Sequence, residues 1–448
     1  MERSIDGEFI GEKTYVKDRH HNSRQAKQSA SRKPPASDIV GQNQDASTSM
    51  PTRRRLLIYS HDSFGLGHLR RCRAIAHDLV DRYPNLSVLI LSGSPIIGSF
   101  DFKSRVDFVR VPGVIKLKNG DYTSLKLDID LSTTLEIRRS IITHTASAFD
   151  PDVFLVDKEP LGLRGEVEGA LELLTRRGRQ CVLGLRDVMD EPKALYREWR
   201  RKGVFPALER YYRDIWVYGL PEIFDPIREI PGMARLAERV SFTGYIERAA
   251  AEPDRLAPGL QLPDRPYVLV MAGGGGDGAG LIDLVLRAYE TDPTIPHPAL
   301  VVFGPFMNSE QRSQFQERAD RLPDVVATTF EANPEALYGP AAGVVAMGGY
   351  NTFCEILSFD KPALIVPRTE PRLEQWIRAD RAARLGLVRM LPDGGAHRPE
   401  AMAACLHGIA GWPRPSAALR RRLLGGLDMI AELCAPAFDP EKRVARSA

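Results

Sequence analysis

Cysteine is scarce in this chain of 448 residues, and it shows no pairing pattern. The five thiols, Cys72, Cys181, Cys354, Cys405 and Cys434, are odd in number, widely spaced and form no C-x-x-C pair. That argues against a disulfide framework or a cysteine zinc site and suits a reducing, cytoplasmic setting. Long apolar runs are missing as well. No stretch of about 18 apolar residues occurs, so no spanning helix is predicted, and the polar N-terminus lacks the apolar segment of a secretory signal. An excess of one charge is absent: 61 Lys and Arg face 58 Asp and Glu, a net of +3. No global field therefore points to nucleic acid or a membrane. G-x-S-x-G and H-E-x-x-H are absent too, which leaves hydrolase and zincin chemistry without support. His20, His21 and His144 lack ligand spacing, and Asp128-Ile-Asp130 matches a D-x-D pattern that is common by chance, so no metal is expected.

What is present is globular. Hydrophobic residues make up 43% and charged residues 27%, enough to bury a core of useful size. Residues 1–52 are polar, without apolar periodicity, and predict a disordered tail. The tail ends in the basic cluster from Thr52 to Arg55. This is a solvated charge run or a contact with anionic lipid or acceptor, which would hold the protein peripherally at the inner face of a membrane.

Order begins at Leu56–Tyr59, an apolar run that reads as a buried strand. Further strands are expected at 87–91, 106–111, 153–156, 181–185 and 214–218, with helical stretches between them. Residues 247–266 hold four prolines and little apolar order and read as a linker. Alternation then restarts at Tyr267–Met271, with strand-like runs at 299–303, 325–329, 343–347 and 363–366. The predicted organisation is α/β: an N-terminal doubly wound domain over 53–246, a second over 267–435, and a flexible tail over 436–448. A ligand cleft is expected between them, at the carboxyl ends of the strands.

Three segments carry chemistry. The first is Ser63-Phe-Gly-Leu-Gly-His-Leu-Arg70, where Gly65 and Gly67 permit close backbone approach and, with Arg70, make a candidate acceptor or phosphate loop. The third glycine of a dinucleotide fingerprint would fall at Arg70, and the next strand ends without an acid for a ribose, which disfavours a nicotinamide or flavin site. His68, at the helix start, would face the cleft. The second is Gly273-Gly274-Gly275-Gly276-Asp277-Gly278, after a strand and before a helix. Its backbone N–H groups and the helix dipole suit a diphosphate. The third runs from Val345 to Ile356 and on to Pro367, then Glu374-Gln375. A helix is expected to start near Asn351 or Thr352. Glu355, three residues after Thr352, reads as the end of a capping box or as a carboxylate for vicinal ribose hydroxyls.

The pattern G-G-x-N-T-x-x-E-I, then K-P-A-L-I-V-P, then E-Q resembles the donor-side signature of family 28 glycosyltransferases. Their best-known member adds N-acetylglucosamine to the peptidoglycan lipid precursor. The resemblance spans roughly residues 55–435 and is strongest at 343–386. It implies a GT-B fold of two Rossmann-like domains, an acceptor on the N-terminal domain and a nucleotide-diphosphate sugar on the C-terminal one. By position, Gly348, Gly349, Asn351, Thr352 and Glu355 would meet ribose or phosphate. Glu374 and Gln375 would meet the donor sugar, and Phe330 and Glu331 would lie near the base. The sequence departs from the family where an Arg often precedes the glycine motif (Met347 or Gly348 here) and where Gln-Gln is Glu374-Gln375, so the donor's identity stays open.

Sugar transfer needs a base for the acceptor hydroxyl and neutralisation of the departing diphosphate. His68 fits the first requirement, with Asp157, at the end of the strand 153–156, orienting it or acting instead. The expected reaction is inverting and metal-independent, without a cofactor. The acceptor is a glycan, lipid-linked or small-molecule hydroxyl. A GT-B nucleotide-sugar epimerase and a non-catalytic nucleotide-sugar-binding module are the alternatives.

Overall fold

The structure, a computed structural model, describes residues 53–61, 67–116, 122–249, 256, 259–391, 398–415 and 423–439. The expected N-terminal tail, Gly65, much of the expected linker and residues 440–448 lie outside the described residues.

Two parallel sheets organise the chain. The first is built from β1 (Arg54–Ser60), β2 (Leu86–Ser92), β3 (Val106–Arg110), β6 (Val153–Asp157), β7 (Gln180–Arg186), β8 (Asp214–Tyr218) and β9 (Val240–Phe242). Their order is β3-β2-β1-β6-β7-β8-β9, and every pairing is parallel. An antiparallel pair of β4 (Val114–Lys116) and β5 (Tyr122–Ser124) follows β3. The second sheet comprises β10 (Tyr267–Met271), β11 (Ala299–Val302), β12 (Val325–Thr328), β13 (Ala341–Ala346), β14 (Ala363–Ile365) and β15 (Arg389–Met390). Its order is β12-β11-β10-β13-β14-β15, again parallel.

The helices that cover the first sheet are α1 (Gly67–Arg82), α2 (Leu131–Phe149), α3 (Glu168–Arg176), α4 (Pro192–Arg201), α5 (Val204–Tyr211) and α6 (Pro226–Glu229). Those after β10 are α7 (Ala279–Thr291), α8 (Ser309–Ala319), α9 (Glu335–Tyr338), α10 (Tyr350–Ser358), α11 (Glu374–Arg384), α12 (Pro399–Gly408) and α13 (Gly426–Phe438). Strands covered on both faces must be apolar on both faces. Leu56, Leu57, Ile58 and Tyr59 of β1 and all of β10 are accordingly buried. On α1 the buried residues Leu69, Cys72, Ile75, Ala76, Leu79 and Val80 recur at intervals of one, three or four, the stripe a one-sided helix requires. Asp130, half of the D-x-D pattern, caps α2: its carboxylate accepts from Thr133 N.

The two halves are joined by a buried ion pair and a half-buried one. Arg378 of α11 donates to both carboxylate oxygens of Asp187, just past β7, at 2.7 and 2.5 Å, and to Gly348 O at 2.9 Å. Tyr245 OH donates to the same Asp187 carboxylate at 2.7 Å. Arg381, one turn on, pairs with Glu229 at 2.6 Å. The last helix, α13, packs back on α1 of the first half. Tyr83 OH donates to Ala431 O at 2.8 Å and its ring meets Phe438 edge-on at 5.4 Å. Asp187→Ala would leave Arg378 buried without its counter-ion. We expect urea denaturation to register a loss of about 3–5 kcal/mol, the cost of breaking a buried pair. A loss below about 1 kcal/mol, the scale of an exposed pair, would show that Asp187 does not hold the halves together.

Candidate functional site

Tight turns at the carboxyl ends of both sheets meet in one cleft. Gly67, His68, Arg70 and Arg71 enter it from α1 and Arg186 from the last position of β7. Opposite them stand Gly273 and Gly274 after β10, Gly304 after β11, Phe330 and Glu331 after β12, and Gly349 to Thr352 after β13.

The first-sheet wall is organised around Asp157. This carboxylate ends β6 and is fully buried. Arg71, one turn into α1 and also buried, grips it at both oxygens, Nε to Oδ1 at 2.9 Å and Nη2 to Oδ2 at 2.6 Å. His68 Nδ1 lies 2.5 Å from Asp157 Oδ2. Burial works to raise the Asp157 carboxyl, but the Arg71 charge and the His68 contact outweigh it and hold the group below the ordinary carboxylate range. Burial pushes the His68 imidazole down to about 3, against the opposing pull of Asp157. An ionised Asp157 beside a neutral imidazole places the ring proton on Nδ1 and a lone pair on Nε2. Among the described residues Nε2 has no partner, and His68 lines the cleft. His61 stands behind, 6.0 Å from His68 ring to ring, and burial lowers it to about 4.

The second-sheet wall is backbone. Gly273, Gly275 and Gly304 have φ of 66°, 88° and 93°. A Cβ on Gly304 would stand 2.6 Å from Gly273 O and Gly275 N, so glycine is required for the two turns to touch. Helix α10 starts at Tyr350, with Gly349 as an N-cap that has no side-chain bond. Its first-turn amides therefore remain available to a ligand in the cleft. The expected capping box does not form, because the helix starts at Tyr350 and Thr352 lies inside its first turn rather than at the cap.

The expected site residues divide into groups. His68, Asp157 and Arg70 come together on the first wall, with Gly67 at the mouth; Gly65 lies outside the described residues. Gly273, Gly274, Phe330, Glu331, Gly349, Asn351 and Thr352 line the opposite wall. Gly275 and Gly348 support it from behind, Gly348 through its carbonyl to Arg378, while Gly276 is exposed and does not line the cleft. Asn351 bridges the walls, donating to Gly67 O and accepting from Arg248 Nη2, both at 3.0 Å. Glu355 is fully buried. Tyr338 OH donates to its Oε2 at 2.6 Å, and Arg70 Nη2 stands 2.6 Å from its Oε1 while also pairing with Glu335. Burial raises the Glu355 carboxyl, against Arg70. Glu374 and Gln375 are buried beside Arg368. Arg368 Nη2 donates to Glu374 Oε1 at 2.7 Å, and its backbone N donates to Gln375 Oε1 at 3.3 Å. Sequence reasoning missed Arg71, Arg186 and the Asp187–Arg378 pair. Two signals were available: Arg71 sits three residues after His68, on the same helix face, and Arg186-Asp187 closes an otherwise apolar strand. Among the described residues no group of three metal-ligating side chains occurs, and no helix is long and apolar enough to cross a membrane.

Residues 268–397 match the glycosyltransferase family 28 C-terminal domain. An uncharacterized glycosyltransferase of Methanosarcina mazei is 24% identical over 370 residues, covering 77% of this chain and 88% of that protein. The crystal structure of the glycotransferase of kitacinnamycin superposes with a TM-score of 0.58 at 17% identity, covering 87% of this chain and all of the other. UGT2 of Phytolacca americana, complexed with UDP-2-fluoro-glucose and pterostilbene, gives 0.55 at 16%, covering 86% and 99%. The fold is GT-B.

With its folded pKa near 3 and an unfolded value near 6.5, His68 takes up its proton more readily in the unfolded chain. Its contribution to stability is therefore present above about pH 6.5 and lost as pH falls towards 3. Nitrogen NMR of labelled histidine should find His68 neutral and protonated at Nδ1 from pH 8 down to 5. In Asp157→Asn an amide NH2 in place of Oδ2 would face Nδ1 as a donor, and the proton should move towards Nε2. A wild-type midpoint near 6.5 would contradict this arrangement.

Proposed function

We propose that this GT-B glycosyltransferase, whose residues 268–397 match the family 28 C-terminal domain, moves a hexosyl group from a nucleotide-diphosphate sugar to a hydroxyl acceptor with inversion and without a metal. The observation that carries the reading is the pairing of walls in one cleft: the His68–Asp157–Arg71 constellation faces Gly273-Gly274 and the uncapped start of α10.

In this reading the diphosphate lies against the glycine turns and the α10 amides, whose partial positive charge is fixed before the reaction begins. The acceptor enters from the first-sheet side. His68 Nε2 takes the hydroxyl proton as the acceptor oxygen bonds to the anomeric carbon. The bond from that carbon to the β-phosphate oxygen breaks, and its electron pair leaves with the nucleoside diphosphate. Asp157 holds Nδ1–H and stabilises the imidazolium that forms, and Arg71 keeps Asp157 ionised. Phe330 and Glu331 flank the base. Glu355 receives the ribose hydroxyls by exchanging Arg70, whose contact to Oε1 is an ion pair without hydrogen-bond alignment. The UDP-sugar bound in the Phytolacca americana structure supports a nucleotide-sugar donor here.

A thermal-shift panel of UDP, GDP, dTDP and ADP sugars tests the donor. A ligand at about a hundred times its Kd should stabilise the protein by roughly 2.7 kcal/mol. With the donor found, His68→Ala should lower kcat by roughly 10²–10⁴-fold while leaving donor affinity nearly unchanged. A matching loss of donor affinity would place His68 in the donor site instead. Glu355→Gln should weaken donor binding by roughly 1–3 kcal/mol, and unaltered binding would remove Glu355 from ribose recognition. Activity should also persist in EDTA; loss on chelation with recovery on adding Mn²⁺ would reject the metal-independent scheme.

A further inference from the structure

Arg186 is the one residue of β7 that projects a charge towards the cleft, and among the described residues no ion pair or hydrogen bond to it is found. Its Nε is buried without a hydrogen-bond partner. The neighbouring guanidiniums are all committed: Arg71 to Asp157, Arg378 to Asp187 and Arg368 to Glu374. Burial lowers Arg186 to about 10, against the pull of the Glu374 and Asp187 carboxylates and with Arg71 and Arg378 acting in the same direction as burial. An arginine at that value is still charged at neutral pH. A part-buried cation with no carboxylate in ion-pair contact costs stability, and the fold keeps one lining the cleft.

We propose that Arg186 is the first half's ligand for the β-phosphate of the donor, closing on the leaving group from across the cleft. The proposal rests on the donor reading above, in which the diphosphate lies on the second-sheet wall. Arg186 shares the opposite wall with His68 and Arg71. The phosphate nearest that wall is the one bonded to the transferred sugar, hence the β-phosphate. When the sugar leaves, the electron pair of the broken bond adds negative charge to a β-phosphate oxygen, and a guanidinium there meets the charge as it develops. An arginine also presents two parallel donors to phosphate. Donor binding thus supplies the ion-pair contact that no carboxylate among the described residues makes with Arg186.

The test is calorimetric titration of full-length wild type, Arg186→Gln and Arg186→Lys. The titrants are whichever of UDP, GDP, dTDP and ADP stabilises the wild type, and the corresponding monophosphate. In Arg186→Gln the diphosphate Kd should rise by roughly 10- to 100-fold, while the monophosphate Kd changes by less than about 3-fold. Arg186→Lys should recover part of the loss. Unliganded Arg186→Gln should melt no lower than wild type, because it removes an uncompensated charge. Equal loss of both nucleotides, no loss of either, or an unliganded variant that is destabilised or unfolded would each overturn the assignment. If the wild type binds none of the diphosphates, the donor reading fails and this inference fails with it. If the wild type binds and Arg186→Gln binds equally well, only this inference falls.

Discussion

The two-toothed grip of Arg71 on Asp157 is the contact on which the rest of the site depends. Both groups are out of water, where either alone would be costly and their pairing must be geometrically good to be tolerated. The pair fixes the first turns of α1 to the end of β6. It keeps Asp157 ionised and thereby selects the His68 tautomer. It also reaches the other half of the molecule: the Arg71 guanidinium lies 5.2 Å from the Tyr350 ring centroid, and Arg378 lies 5.8 Å from the same ring. Tyr350 opens α10, and Arg378 is bound to Asp187 beside Arg186. A chain of charge and ring contacts thus runs from the imidazole, through the start of the helix proposed to hold the donor, to the pair that joins the halves.

The division of labour across the cleft follows from residue chemistry. The first wall is rich in titratable side chains in fixed partnerships, the setting that sustains proton transfer. The second is glycine backbone and a helix start, which offer dipoles without side-chain bulk, the setting that suits a diphosphate. Arg70 spans the two. Its contacts with Glu335 and Glu355 hold the first wall against the second in the state described here, and a ligand reaching Glu355 must compete with it. Superposition on solved GT-B structures at 16–17% identity shows a shared fold alone, so the chemistry has to be argued from these side chains.

Much of the fold was legible because buried parallel strands are short continuous apolar runs. Asp214–Tyr218 and Tyr267–Met271 have the expected bounds, and the other expected strands differ by a few residues at their ends. The β4–β5 pair and the short edge strands β9 and β15 were not legible, since three-residue or two-residue strands leave no periodicity. The return of α13 to α1 is a tertiary choice with no local signal. In the site, glycine loops and His68 stood out because their residue types are unusual in their positions. Arg71, Arg186 and Asp187 did not, because a charge at a strand end or helix face reads as solvated until the partner strand is placed. Glu355 had the spacing of a cap, but the helix starts earlier, at Tyr350, and Tyr338 and Arg70 hold the buried carboxylate.

The central claim is a single displacement in which the first wall supplies the base and the second holds the leaving group. Proton NMR of the earliest product formed from a donor of known anomeric configuration tests it most directly. The account predicts a product of inverted configuration from the first turnover. A product that retains the donor's configuration would contradict it.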